Sequence, residues 1–325
     1  MKPDSKIYVA GHRGLAGSAI TRALAARGYR NLVQRTHAEL DLTDRFAVGK
    51  FLEEERPEHV FLAAAKVGGI MANYELPAEF IHQNLAIQDN VIDAAWRAGV
   101  KRLLFLGTAC IYPRDCPQPI KEEYLLTGPI EFTNRPYAIA KIAGIESCWA
   151  YNRQYGTRYL AVMPNNLYGP GDNYDLQHSH VLPALVRRFH EAKVAGADSV
   201  TLWGTGAPRR EMLHSDDMAE ACMALMELPD AAFDKFLGGD PASPRPPLVN
   251  IGWGEDYTIR ELAERVRALV GFKGEIRWDA GKPDGTPRKL LDISRMKLLG
   301  WMPRIPLETG LQSAYQDFLA RFGRG

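Results

Sequence analysis

A short apolar, β-branched run at Lys6–Ala10 leads straight into Gly11-His-Arg-Gly14-Leu-Ala-Gly17, and an alanine-rich segment follows to about Arg27. Few chain geometries accommodate that order. Glycines three apart between a strand and a helix permit a tight turn, close approach of backbone to a pyrophosphate, and close helix–strand packing. The helix start then offers free N–H groups to a phosphate. The stretch predicts the first βαβ unit of a dinucleotide-binding sheet.

The following segments keep the alternation. Asn31–Arg35 reads as a second strand, and Asp41–Thr43 as the end of a third. Thr43 or Asp44 then caps a helix to about Glu55. His59–Ala65 is a fourth strand, Lys66–Tyr74 a loop, and Pro77–Ala98 a long helix. Arg102–Gly107 is a fifth strand, and 108–136 is a long proline-rich stretch of the kind that carries an active site. A helix to about Tyr155 and a strand at Tyr159–Met163 complete the run. The pattern predicts an α/β fold: a doubly wound parallel sheet of the Rossmann type, with a smaller C-terminal α/β lobe.

Beyond the sheet, helices are expected at His180–Ala192, Asp216–Glu227, Thr258–Val270 (capped by Thr258) and Leu307–Phe322. Strands are expected at Val200–Trp203 and Val249–Gly252, the second returning to the first domain. Arg209 and Arg210 precede Glu211–His214, and Asp240–Pro247 and Lys282–Lys289 read as loops. Residues 1–165 are expected to form the nucleotide-binding domain, with returning segments near 213–228 and 248–256. Residues 166–325 form mainly the substrate lobe.

A chain of 325 residues with a formal charge of +1 has no global basic character, so nucleic acid and membrane surfaces are not expected partners. Cys110, Cys116, Cys148 and Cys222 have no metal-ligand spacing, and no metal is expected. No apolar run reads as a leader or a membrane span, and the cytoplasm is the expected compartment.

Asn134-Arg-Pro-Tyr-Ala-Ile-Ala-Lys141 carries the reactive pair. Pro136 suits a helix start, and residues four apart share a helical face. Lys141 is therefore expected beside the Tyr137 phenol, favouring its ionised form and allowing proton exchange near neutral pH. The second strand ends in Gln34-Arg35-Thr36-His37, without the acid that usually accepts from an NAD ribose. Arg13 and Arg35 suit a 2′-phosphate instead, so NADP is the expected cofactor.

With Gly11–Gly17, Ala63–Lys66, Gly107-Thr108 and Tyr137…Lys141 in place, the chain resembles the extended short-chain dehydrogenase/reductase family. The strings at 64–70, 110–113, 136–144 and 282–289 resemble, more narrowly, the GDP-L-fucose synthase family. That resemblance implies 3,5-epimerisation of GDP-4-keto-6-deoxy-D-mannose and NADPH-dependent reduction of its C4 ketone. It implies Tyr137 as proton donor, Lys141 as the orienting group, Thr108 as a second donor to the oxyanion, and Cys110 and His180 as the epimerising pair. The family usually has serine where this chain has Thr108 and Ala109. His37 stands where arginine is frequent.

The resemblance further implies a cofactor site built from Gly11, His12, Arg13, Gly14, Leu15, Ala16 and Gly17, with Arg35 at the ribose. Leu106, Gly107, Thr108 and Ala109 follow on the fifth strand. Pro164, Asn165, Asn166 and Leu167 lie along the nicotinamide, with Lys141 and His180. Arg188, Trp203, Arg210 and Asp279 are the implied contacts to the GDP-sugar, and a homodimer through the two long sheet helices is expected. The rival readings are a 4,6-dehydratase or 4-epimerase of the same fold, or a non-catalytic NADP-sensing regulator. Ala109-Cys110 in place of a dehydratase's Asp-Glu opposes the first, and retention of both Tyr137 and Lys141 opposes the second.

Overall fold

The computed structural model describes residues 1–176, 179–238, 246–282 and 284–323. The first half runs β1 (Ile7–Ala10), α1 (Leu15–Ala26), β2 (Leu32–Val33), α2 (Arg45–Glu55), β3 (His59–Leu62), α3 (Ile70–Glu75), α4 (Pro77–Arg97), β4 (Arg102–Leu106), α5 (Arg135–Tyr155) and β5 (Tyr159–Pro164). The second half runs β6 (Asn166–Tyr168), α6 (Val181–Val194), β7 (Ser199–Trp203), β8 (Arg209–His214), α7 (Ser215–Met226), α8 (Asp230–Phe233), β9 (Leu248–Ile251), β10 (Asp256–Thr258), α9 (Ile259–Val270), β11 (Glu275–Asp279), β12 (Arg288–Lys289), α10 (Ser294–Leu298) and α11 (Leu307–Phe322).

A six-stranded parallel sheet in the order β2-β1-β3-β4-β5-β9 forms the centre. Its strands are continuous apolar runs because both faces are covered. Tyr8 and Ala10 of β1 pack towards α2, α4 and α5, while Ile7 and Val9 pack towards α1 and α7. The chain leaves β1 for β2 and returns to β3, so the strand order reverses beside β1. Crevices at the carboxyl ends of strands at such a reversal are where ligands bind in open α/β sheets.

A second apolar core gathers Leu182, Val186 and Phe189 of α6, Leu262 and Val266 of α9, and Leu311 and Phe318 of α11. Around it β8 takes β10 antiparallel on one side and β12 parallel on the other, while β6 also pairs with β8. A separate pair, β7 with β11, sets Trp203 opposite Asp279.

Several expectations change. No strand ends at 41–43. The Asp41 carboxylate instead accepts from the Thr43 amide at 2.9 Å and its hydroxyl at 2.8 Å, a local bond that competes with sheet pairing. Asp44 caps α2 by accepting from the Phe46 and Ala47 amides. Part of the 66–74 loop is helical, as α3. Arg209 and Arg210 lie within β8, and the end of the 282–289 loop is β12. Both Arg209 and Arg288 bond Asp256, which ties these edges together. The predicted loop at 240–247 falls mostly outside the described residues. Thr258 caps α9 in a reciprocal bond pair with Glu261. No described helix is long and apolar enough to cross a membrane.

Candidate active site

The glycine turn lies where β1 and β3 end. Gly11 has a φ of 81°, and a Cβ there would sit 2.7 Å from the Ala64 amide nitrogen. A Cβ on Gly17 would meet the Gly11 carbonyl oxygen at 2.1 Å, so only glycine lets α1 approach. Gly14 starts α1 without a side-chain cap, which leaves the first-turn amides at Leu15 and Ala16 beyond the reach of intrahelical bonding. His12 Nδ1 is buried without a partner among the described residues. Burial, then the Arg13 charge, holds its pKa low. Free amides and an orphaned ring nitrogen fit a phosphate-bearing cofactor.

The ribose end differs from the sequence reading. Arg13 is exposed, but Arg35 donates to Glu55 at 2.7 Å and to the Gln34 carbonyl at 2.8 Å. An acid is also present. Glu39 folds back to accept from the Thr36 amide at 2.7 Å and hydroxyl at 2.8 Å. Those bonds, followed by the charges of Arg35 and Arg13, lower its pKa. The inference of an acid-free site considered only the strand end and missed a carboxylate returned by a turn.

The Tyr137–Lys141 pair sits in the first two turns of α5, as the spacing predicts, but its electrostatics differ. Lys141 Nζ donates to the Leu106 carbonyl at 2.8 Å and lies 6.0 Å from the Tyr137 ring centre. Burial pulls its pKa down to about 7. Burial pushes the Tyr137 phenol up, with a hydrogen bond from Thr108 working the other way. Without cofactor, burial thus works against the ionising effect expected of Lys141. The Thr108 oxygen also accepts from the Cys110 amide at 3.3 Å, which fixes the short 3₁₀ turn at 109–111 against the end of β4. Gly107 donates to the Val162 carbonyl at 2.9 Å, and Ala109 is buried beneath the turn.

Four distant segments meet around Cys110. Lys289 Nζ, on β12, donates to the Cys110 sulfur at 3.4 Å. His180 is the N-cap residue of α6. Its ring is accessible from the cleft, yet surrounding protein and then the Lys289 charge hold its pKa below the usual imidazole value. Arg210, on β8, lies near Cys110, has its pKa lowered by burial, and donates to the carbonyls of Arg209 at 2.7 Å and Thr286 at 2.6 Å. Lys289 ends the string at 282–289, but nothing in its spacing marked it as a partner of Cys110. Cys148 and Cys222 are buried, with burial raising their pKa values, and all four cysteines are free.

Beneath this cluster Glu211 is fully buried. It accepts from Asn165 Nδ2 at 2.6 Å, the Gly254 amide at 2.6 Å and the Leu291 amide at 3.0 Å. Burial outweighs these donors and lifts its pKa to about 7. Asn165 also donates to the Lys289 carbonyl at 3.0 Å, and Asn166 donates to the Glu211 carbonyl at 3.0 Å. The stretch from Pro164 to Leu167 is thus tied to the segment that carries Lys289. Nothing in the sequence marked Glu211, the residue after Arg210, as buried.

Arg188, Trp203 and Asp279 come together. The Arg188 guanidinium lies 5.9 Å from the half-exposed Trp203 ring, and Lys282 Nζ lies 5.4 Å from it. Asp279, beside Trp203 in the sheet, accepts from the Gly281 amide at 3.1 Å. An aromatic face flanked by cations and a carboxylate suits a purine nucleotide. Among the described residues no cluster of metal-ligating side chains exists.

Residues 7–237 match the family model described as the NAD dependent epimerase/dehydratase family, and the chain belongs to that family. Within it, the chain is 56% identical over 316 residues to GDP-L-fucose synthase 1 of Arabidopsis thaliana, covering 97% of this chain and 94% of that one. It is 54% identical over 314 residues to the GDP-L-fucose synthase of Escherichia coli (strain K12), covering 97% and 96%. A solved GDP-mannoheptose C4 reductase from Campylobacter jejuni, with NADP bound, superposes with a TM-score of 0.87 at 40% identity, covering 98% and 99%.

Proposed function

We propose that this protein makes GDP-L-fucose: it epimerises GDP-4-keto-6-deoxy-D-mannose at C3 and C5 and then reduces the C4 ketone with NADPH. The observation that carries this reading is the convergence of Thr108, Tyr137, Cys110 and His180 on one cleft, with Lys289 bonded to the thiol and bearing on the imidazole. A reductase alone needs only the first two. The named relatives support the substrate, and the NADP-bound neighbour supports the cofactor.

The C4 carbonyl acidifies the protons on C3 and C5. Each centre loses a proton from one face and regains one on the other, so a base and an acid must face each other across the ring. Cys110 and His180 fill these roles, since a thiol and an imidazole can each take and return a proton. In the second step Tyr137 donates its phenolic proton to the C4 oxygen, and Thr108 donates a hydrogen bond to the same developing charge. Burial keeps that phenol protonated and ready. NADPH, when bound, supplies the hydride. Lys141, Gly11–Gly17, Pro164–Leu167 and Leu106–Ala109 hold the cofactor. Arg13 and Arg35 meet the 2′-phosphate, where Glu55 competes for Arg35. Arg210 meets the diphosphate, and Arg188, Trp203 and Asp279 meet the nucleotide.

Residues 166–325 act mainly as the substrate lobe. The outer faces of α4 and α5 leave Leu85, Ile139 and Tyr155 exposed. That supports a homodimer through these helices, which light scattering tests. The decisive assay incubates the protein with GDP-4-keto-6-deoxy-D-mannose and NADPH in D2O. Formation of GDP-L-fucose with deuterium at C3 and C5 is expected. A reduced sugar without deuterium at either centre refutes the epimerase half.

A further inference from the structure

Lys289 is set apart from the cations around it. Arg209 and Arg288 are committed to Asp256 at 2.7 and 2.5 Å, and the Arg210 guanidinium donates to backbone carbonyls. Lys289 has no carboxylate partner among the described residues, and its ammonium points at sulfur. We propose that Lys289 is a positioning residue for Cys110: its ammonium holds the sulfur in place and stabilises the thiolate that removes a proton from the sugar ring. The proposal rests on the epimerase reading above.

The backbone of Lys289 is over-determined, which gives the ammonium a fixed root. Its carbonyl accepts from Asn165, its strand register sets it beside Arg210, and the next two amides donate to Gln118 at 2.9 Å and Glu211 at 3.0 Å. The same network holds Asn165, so the thiol's partner and the nicotinamide-facing backbone share one anchor.

Other charged or titratable groups also face the sulfur. Arg210 comes from β8 and Tyr137 from α5. Across a cavity of about 10 Å³ stand Glu131, Arg114 and Arg288. Glu131 is paired with Arg114 at 3.4 Å, which limits its repulsion of a thiolate. Lys289 is the group in direct hydrogen-bond contact. Its charge also favours neutral His180.

In the step itself a C–H bond breaks and an S–H bond forms. The electron pair moves into the enolate of the C4 ketone. His180, protonated from solvent to its imidazolium, then breaks an N–H bond as a new C–H bond forms on the opposite face, and the enolate returns to the ketone. An ammonium at the sulfur favours the first half, because it meets the charge before the proton moves.

The test reads the thiol directly. Full-length wild type, Lys289→Met and Lys289→Arg are alkylated with iodoacetamide across a pH series, and modification of the Cys110 peptide is followed by mass spectrometry. An opposite charge within bonding reach typically moves a titration by about one to three pH units. Lys289→Met is expected to push the alkylation profile up by that amount, and Lys289→Arg to keep most of the wild-type profile. Deuterium exchange at C3 and C5 is expected to slow in Lys289→Met at neutral pH and recover at higher pH.

An unshifted profile overturns the proposal, and an accompanying rise in KM alone makes Lys289 a substrate-binding group. Cys110→Ser, run in the exchange assay, separates the two levels. Exchange lost in Cys110→Ser with an unshifted Lys289→Met profile overturns Lys289 only. Exchange unchanged in Cys110→Ser overturns Cys110 as the base.

Discussion

Tyr137 and Lys141 lie on successive turns of one helix, whereas the groups around Cys110 come from four segments, with Cys110 and Lys289 separated by 179 positions. The reductive pair is set by helical geometry and by the end of one buried strand. The cluster proposed to epimerise the sugar exists only because β12 pairs with β8 and α6 begins beside them. A local pair tolerates movement elsewhere in the molecule, since its members travel together. A cluster of distant segments depends on whatever ties those segments, and here Glu211 and Asp256 tie β8 to the segment that carries Lys289.

The strongest way to sharpen this contrast is to remove the phenolic hydroxyl. Tyr137→Phe deletes one oxygen and leaves α5 intact. Ketone reduction is expected to fall by about 10²–10⁴, the range for general acid catalysis. Deuterium is expected to enter C3 and C5 as before. Loss of exchange in step with reduction, measured by mass spectrometry, would break the separation of the two centres.

Glu211→Ala attacks the other side. It strands the Asn165, Gly254 and Leu291 donors. Each unsatisfied buried group costs about 1–3 kcal/mol, so a total of roughly 3 kcal/mol or more is expected in urea denaturation. Any folded enzyme is expected to lose more exchange activity than Tyr137 reactivity. Equal losses would show that the network does not favour the epimerising side.

A third effect belongs to Lys141. Its value in the cofactor-free fold, about 7, lies below that of the unfolded chain. The unfolded state therefore binds more protons between about pH 7 and 10.4, and stability rises with pH over that window. The cost of burying the lysine is fully present below about pH 7 and shrinks as pH rises. Lys141→Met is expected to gain on the cofactor-free wild type by about 2 kcal/mol more at pH 7 than at pH 9. Denaturation curves with parallel pH dependence would place the burial cost elsewhere.

The smallest effect lies outside both centres. Arg35→Ala is expected to weaken NADPH by about 1.5 kcal/mol, the lower end for a charged hydrogen bond, because Glu55 already shares this half-exposed guanidinium. NADH binding is expected to change little. Equal loss for both cofactors, measured by titration calorimetry, would remove Arg35 from the phosphate site.

Signals within a few residues of one another proved readable. The glycine turn, the α5 pair, the Asp44 and Thr258 caps and the strand returning to the sheet all have local or periodic signatures. The expected strand at 41–43 failed because Asp41 bonds to Thr43 rather than to a ladder. The acid at the ribose end was missed because Glu39 reaches Arg13 and Arg35 through a turn. The lowered pKa of Lys141 was not legible because spacing says nothing about desolvation.

The sequence by itself determined the class of fold, the phosphate-binding turn, the reactive helix and the identity of the chemical groups, because these rest on steric rules and periodicity acting over one or two turns. Only the tertiary structure decided which cation meets the thiol, which carboxylate is buried beneath the cleft and which form the phenol takes. Those outcomes depend on the register of β12 against β8 and on how much water each group loses, and both are properties of segments that come together in space while remaining far apart along the chain.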